Sequence, residues 1–154
     1  MQKLVLYSTL SLILFAACSK DKFQDKPTIT IKSVNPSQVS VLSGSSSEIL
    51  MEFTDKQGDL DSVFLYKERL NSVVKTVLNP ILPYGIPDFP KKTKGELKVT
   101  LFNTDLNACA DPRSQPDAPN GKEPDTIILH IVVKDRAGNF SDTATTGQLV
   151  IERS

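Results

Sequence analysis

The chain has 154 residues, and its 18 lysines and arginines are balanced by 18 aspartates and glutamates. That balance removes any electrostatic reason to expect nucleic acid as a partner, because such binding is carried by an excess of basic side chains. The length supports one domain with a real core.

In chain order, Lys3 precedes a mostly apolar run from Leu4 to Phe15, followed by Ala16, Ala17 and Cys18. The run falls short of the roughly 20 apolar residues that a membrane-spanning helix needs. Basic start, apolar run and small residues have the three-part build of a secretory signal peptide, which is removed and takes no part in the fold. Phe15-Ala16-Ala17-Cys18 resembles the lipobox of bacterial lipoproteins, with Phe15 where Leu is usual. The resemblance implies cleavage before Cys18 and acylation of its thiol and new amino terminus. Residues 1–17 are then a lipoprotein signal peptide, and residues 18–26 are a lipidated cysteine with a polar tether. Each buried CH₂ is worth about 0.8 kcal/mol, so one acyl chain holds weakly and two or more hold stably. Ser19-Lys20-Asp21-Lys22 and Asp25 resemble the charged export signal of Bacteroidetes surface lipoproteins, although those carry more acidic residues and a plain tether fits as well. The implied partner is a membrane, and the implied location is the outer membrane, at the cell surface or the periplasmic face.

Removing residues 1–17 leaves 137, with 17 basic against 18 acidic side chains once Lys3 is lost. If Cys18 carries lipid, Cys109 has no cysteine partner, and no internal disulfide is available. Cys109 is expected to be a packed small residue, free cysteine being among the most buried types, with a free thiol as the alternative.

From Pro27 onward the pattern is strand-like. Thr28 to Val34 largely alternates with period two, and Val39 to Leu42 continues it past the Asn35-Pro36-Ser37 break. Glu48 to Phe53 places Ile49, Met51 and Phe53 on one face. After the Asp/Gly loop Thr54 to Asp59, the segment Ser62 to Glu68 turns Val63 and Leu65 one way and Phe64 and Tyr66 the other. Val73 to Leu78 reads as a shorter strand. Residues 79–95 hold four prolines, a density that no regular element is expected to survive. Glu96 to Phe102 restores alternation, and residues 103–124 form a second Pro-rich irregular stretch that includes Cys109. Asp125 to Lys134 is apolar on both faces and should be central in its sheet. Asp135 to Asn139 is a tight turn, and the last strand region, Phe140 to Glu152, is interrupted at Gly147.

About seven strands with Gly/Pro/Asn turns and two long Pro-rich loops read as an all-β, antiparallel sandwich over residues 27–154. The run VVKDRAGNFSDT, with Phe53-Thr54-Asp55 and Gly58-Asp59-Leu60-Asp61, resembles immunoglobulin-like and cadherin-like domains repeated across Bacteroidetes lipoproteins. The chain lacks the antibody hallmarks, having no Trp and, once Cys18 carries lipid, no second cysteine to bridge with Cys109.

No motif for nucleophilic, zinc or phosphate chemistry is present. The one histidine, His130, lies in the central strand and reads as a packed or half-exposed side chain. The acidic turns carry the sharpest site expectation. Asp55, Asp59 and Asp61 lie in one turn region and Asp135 and Asn139 in another, with Asp142 nearby. Sandwich loops cluster at the two ends, so these oxygens could converge on calcium, which takes about 6–8 hard oxygen ligands on flexible loops. Cadherin-like domains use end-of-sandwich calcium sites, which is what the resemblance implies. Turn-building by Asp, Asn and Gly is the plainer explanation. Tyr84 and Phe89 in the first Pro-rich stretch offer a binding lip or, alternatively, a cover over a sheet edge.

The expectation is therefore a non-enzymatic, lipid-anchored envelope module that binds a protein or a glycan, or scaffolds. A glycan role is weakened by the absence of Trp and by only two tyrosines, Tyr66 and Tyr84, in the chain after Cys18. A purely structural envelope role, a small hydrolase or a thiol redox protein using Cys109 are the alternatives. Asp61-Ser62-Val63, Asp125-Thr126-Ile127 and Asp142-Thr143-Ala144 resemble the O-glycosylation sequon of Bacteroidetes extracytoplasmic proteins.

Overall fold

The computed structural model describes residues 25–40, 42, 44–71, 77, 79–107, 117–118, 121–122 and 124–152. The expected signal peptide, the lipidated Cys18, Cys109 and, Val77 apart, the strand expected at 73–78 lie outside the described residues.

Alternation sets the first sheet. β1 (Thr28–Asn35) and β6 (Lys94–Phe102) flank β3 (Ser46–Thr54), all antiparallel. In β3, Ile49, Met51 and Phe53 are buried, and Val99 and Leu101 of β6 meet them from the same side. The opposite face is solvated and laced with ion pairs. Glu52 bonds Lys32 at 3.1 Å and Lys94 at 2.5 Å, and Glu48 bonds Lys98 at 3.0 Å.

The second sheet runs β2 (Gln38–Val39), β11 (Leu149–Ile151), β9 (Asp125–Asp135), β4 (Leu60–Arg69), β5 (Ile81–Gly85), with β10 (Ala144–Thr145) also pairing β9. β9 is flanked on both sides, as its double apolar face predicts. Its Ile127, Leu129, Ile131 and Val133 are fully buried and pack with Val63, Leu65, Leu149 and Ile151 against the first sheet. The architecture is thus an all-β sandwich with one core between two sheets. Among the described residues, seven strands have three or more residues.

The structure corrects two expectations. The sandwich is not wholly antiparallel, because β2 pairs parallel to β11 at the sheet edge. The chain leaves β1 and crosses between sheets at Asn35 to Ser37, so β2 joins the opposite sheet instead of continuing β1. The Pro-rich stretch also contains a strand, β5, which pairs with β4 although Pro83 lies opposite Phe64. An edge strand needs ladder bonds on one side only, which is why it accepts a proline. Beyond β6, Asn103–Leu106 forms a single helical turn, α1, and β7 (Asp117–Ala118) and β8 (Gly121–Lys122) form a two-residue ladder.

One stretch of the inner face is charged. Along β4 the inward positions run Val63, Leu65, Lys67, Arg69, and all four are buried. Lys67 Nζ donates to the carbonyls of Asp105 (2.8 Å) and Asn107 (3.0 Å), holding α1 over this end of the sandwich. Arg69 pairs with Asp125 at 2.5 Å with both side chains fully buried, and Arg69 Nε donates to Asn71 Oδ1 at 3.0 Å. Buried charges persist only when paired and hydrogen-bonded in this way. Desolvation pulls the Lys67 ammonium below its usual range.

Candidate metal centre

Two turns at the other end of the sandwich have the same construction. Asp55-Lys56-Gln57-Gly58-Asp59 follows β3, and Asp135-Arg136-Ala137-Gly138-Asn139 closes β9. In each, the leading aspartate accepts from the backbone N–H four residues on: Asp59 N to Asp55 Oδ2 at 2.8 Å, Asn139 N to Asp135 Oδ1 at 2.7 Å. In each, the fourth residue is a glycine at positive φ, +66° at Gly58 and +91° at Gly138. An aspartate that closes the turn on its own backbone, with glycine supplying the left-handed step, explains why this spacing recurs. The turns are joined by Arg136 N donating to Asp59 O at 3.1 Å.

Joining them brings Asp55, Asp59 and Asp135 together, with carboxylate oxygens all within 4.8 Å of one another. Asp55 and Asp135 are almost wholly buried, at 1% and 0% exposure. Asp55 Oδ1, Asp59 Oδ1 and Gln57 Oε1 are buried acceptors without a hydrogen-bond partner. Among the described residues, no lysine or arginine forms an ion pair with any of the three aspartates. The nearby cations are engaged elsewhere, Arg136 with Asp88 and Lys56 with Asp25.

Mutually repelling carboxylates and unpaired buried oxygens are both unfavourable, the latter by about 1–3 kcal/mol each. A divalent cation removes both penalties at once. The donor set is all oxygen and sits on turns, which suits Ca²⁺ better than Mg²⁺, since Mg²⁺ demands a rigid octahedron. The residues fit the ion: Asp55, Asp59 and Asp135 are the side chains that would hold it.

Of the five residues expected at this site, three therefore converge. Asp61 does not. It occupies a β-bulge between Leu60 and Ser62, which lets both Leu60 and Val63 face the core and turns Asp61 outward. There it accepts from Ser62 Oγ at 2.6 Å and lies 3.4 Å from Lys134 Nζ. The Ser62 hydroxyl, ahead of the cationic neighbours, holds the Asp61 carboxyl below the usual range. Asn139 orients the site by donating Nδ2 to Asp135 Oδ2 at 2.8 Å. The sequence expectation paired the two turns from the clustering of sandwich loops at two ends, and the D-x-x-G-[D/N] spacing that both turns share is a further signal for the pairing.

Neighbouring segments dock on this end. Asp55 N donates to Thr93 O (2.9 Å) and Lys92 N to Gly58 O (3.3 Å), clamping the segment from Ile86 to Thr93. The chain also enters the domain here: Lys56 pairs with Asp25 at 3.2 Å, and Lys26 with Asp142 at 2.6 Å. Tyr84 and Phe89 are both half-buried and pack against the core, with the Phe89 ring edge-on to Phe53 at 6.2 Å. They sit as cover, and burial pushes the Tyr84 hydroxyl above its usual range. His130 faces outward, with Nε2 2.7 Å from Glu68 Oε2 and Nδ1 3.1 Å from Thr145 Oγ1.

No protein-family model and no curated protein matches the chain. Among solved structures it resembles a Niemann-Pick type C2 protein from the Japanese carpenter ant, at 16% identity and a TM-score of 0.36. That likeness covers 84% of this chain and 98% of the other, and at this TM-score it carries no argument about function.

Proposed function

We propose that this protein is a non-enzymatic, lipid-anchored envelope module of immunoglobulin-like architecture, a binding or scaffolding domain with one end braced by calcium. The observation that carries the reading is the cage of Asp55, Asp59 and Asp135 with its partnerless buried oxygens. Calcium there would supply only charge neutralisation and coordination. It would fix the turn after β3 against the turn after β9 and, through Thr93 and Lys92, the segment that covers the core. The entry of the chain at this end, through Asp25 and Lys26, supports a role in holding the domain rigid beside its tether. Such a brace suits a protein that must present a fixed surface at a distance from its anchor.

The anchor itself is proposed from Phe15-Ala16-Ala17-Cys18, with Cys18 acylated and the protein in the outer membrane. Fractionation of cells expressing wild type and Cys18→Ala tests it. Wild type in membranes and the variant in the soluble fraction support the anchor, and a sedimenting variant overturns it. Protease treatment of intact cells then gives the orientation, since only a surface domain is shaved. Calorimetric titration with CaCl₂ tests the brace directly, one site per chain being expected and no heat of binding being the contrary result.

A further inference from the structure

We propose that the outer face of the second sheet is a binding surface for a neutral glycan chain, the partner class of the binding module inferred above. The two outer faces of the sandwich differ sharply. The first sheet shows water a ladder of lysines and glutamates. The second shows a row of rings. On β4, Phe64 and Tyr66 point outward. Opposite them on β9 stand Val132 and His130, and on β5 stand Pro83 and Ile81. Phe140, bridged to Lys134 just beyond the calcium-cage turn, folds beside Phe64 with ring centroids 6.1 Å apart. Tyr66 and His130 lie 5.9 Å apart. Tyr66, Ile81 and Phe140 are 46%, 57% and 52% exposed, unusual for apolar side chains gathered on one sheet face. They line an open trough of about 570 Å³.

The chemistry of the trough selects its occupant. Among the described residues of this face, Lys134 pairs with Asp61, and the Glu68 carboxylate is hydrogen-bonded to the His130 ring. The trough therefore offers no unpaired cation to an anionic ligand. Its floor is apolar, while the Glu68 carboxylate, the His130 ring and the Thr145 hydroxyl form a hydrogen-bonded string along one side. A sugar ring is complementary to that arrangement: its C–H face stacks on a flat aromatic ring, and its hydroxyls both donate and accept at the polar edge. At about 3.4 Å per residue, Phe64 to Glu68 extends about 14 Å, a length suited to a run of linked rings. The trough volume lies within the roughly 300–1,000 Å³ of small-ligand clefts, whereas a stable protein interface takes roughly 20–30 residues a side. A second copy of the chain is thus the weaker fit.

The test uses the full domain from Pro27 to Ser154 with its tether, run through native gels containing xylan, mannan, β-glucan or starch, with alginate as the anionic control. Retardation by at least one neutral polysaccharide is expected. Tyr66→Ala and Phe140→Ala should each weaken it by tenfold or more, and Lys98→Ala on the opposite sheet should not. Thermal melts of the variants check that the exposed substitutions leave the fold intact. The proposal is overturned if no neutral polysaccharide retards the protein, if only alginate does, or if retardation survives both ring variants. It is equally overturned if light scattering finds a dimer that Tyr66→Ala or Phe140→Ala dissociates, since the second copy would then be the occupant. Calcium titration reads the acidic cage and gel retardation reads the ring face, so failure here and failure of the metal reading are read separately.

Discussion

Replacing Asp55 with Asn isolates the charge of the cage from its geometry. Asparagine keeps an oxygen that can accept from Asp59 N, the bond that closes the turn at 2.8 Å. It removes one of three carboxylate charges whose oxygens lie within 4.8 Å. At that separation and an effective dielectric of about 20, one charge pair repels by about 3.5 kcal/mol, and solvent and salt lower this further. Asp55 takes part in two such pairs. In chelator, Asp55→Asn should therefore equal or exceed wild type in stability, by about 1–3 kcal/mol after screening. In calcium the order shifts. Extracellular sites bind with Kd values of about 10⁻⁴–10⁻³ M. At 10 mM calcium and a Kd of about 0.1 mM, linkage adds about 2.7 kcal/mol to wild type, and a tenfold weaker variant gains about 1.4 kcal/mol. At about 4 °C per kcal/mol, the wild-type melting temperature should rise by about 10 °C between EDTA and calcium, and the variant by about half as much. Differential scanning calorimetry in both buffers measures all four values. A wild-type melting temperature that is the same in both buffers would refute the cage, as would a variant that gains as much as wild type.

Gly58→Ala should destabilise by about 2 kcal/mol or more, because φ is +66° and a Cβ would sit 2.7 Å from Lys92 N, a backbone atom that cannot swing aside. Gly147→Ala, with open space around it, is the control, and urea midpoints compare the two. Asp125→Ala should cost about 3–5 kcal/mol by leaving the Arg69 guanidinium buried without its carboxylate, again read from urea unfolding. Lys67→Met should cost about 1–3 kcal/mol at pH 7, since the carbonyls of Asp105 and Asn107 lose their donor. The pH dependence of that cost has a definite sign. Burial lowers the folded-state pKa of Lys67 below its ordinary 10.5, so the penalty for holding the ammonium is full at neutral pH. It lifts as pH rises from the folded value towards 10.5. Wild type should gain on Lys67→Met between pH 7 and pH 10, and a gap that narrows would contradict the burial argument.

Local pattern carried much of this fold. Period-two patterning was enough to locate β1, β3, β4 and β6, and the doubly apolar run Asp125 to Lys134 was enough to locate β9 and place it inside a sheet, because both faces of a central strand meet protein. The acidic turns were visible for the same reason: Asp and Gly at fixed spacing have few uses besides closing a turn. What alternation could not supply was phase and partner. Lys67 and Arg69 fall on the inner face only because they continue the register of Val63 and Leu65, and they are tolerated only because α1 and Asp125 bring carbonyls and a carboxylate to them. A single bulge at Asp61 removed that residue from the cage and turned it towards Lys134. β5 was hidden because proline density masks a strand unless its place at an edge is known.

The sequence by itself determined an all-β chain, its strand-bearing segments and the two acidic turns, since these depend on neighbours along the backbone. Only the tertiary structure decided that Asp55, Asp59 and Asp135 meet, that Asp61 does not, and that Phe140 lies beside Phe64. Each of those juxtapositions joins residues from separate turns or strands, and their spacing is set by sheet packing, which no local pattern encodes.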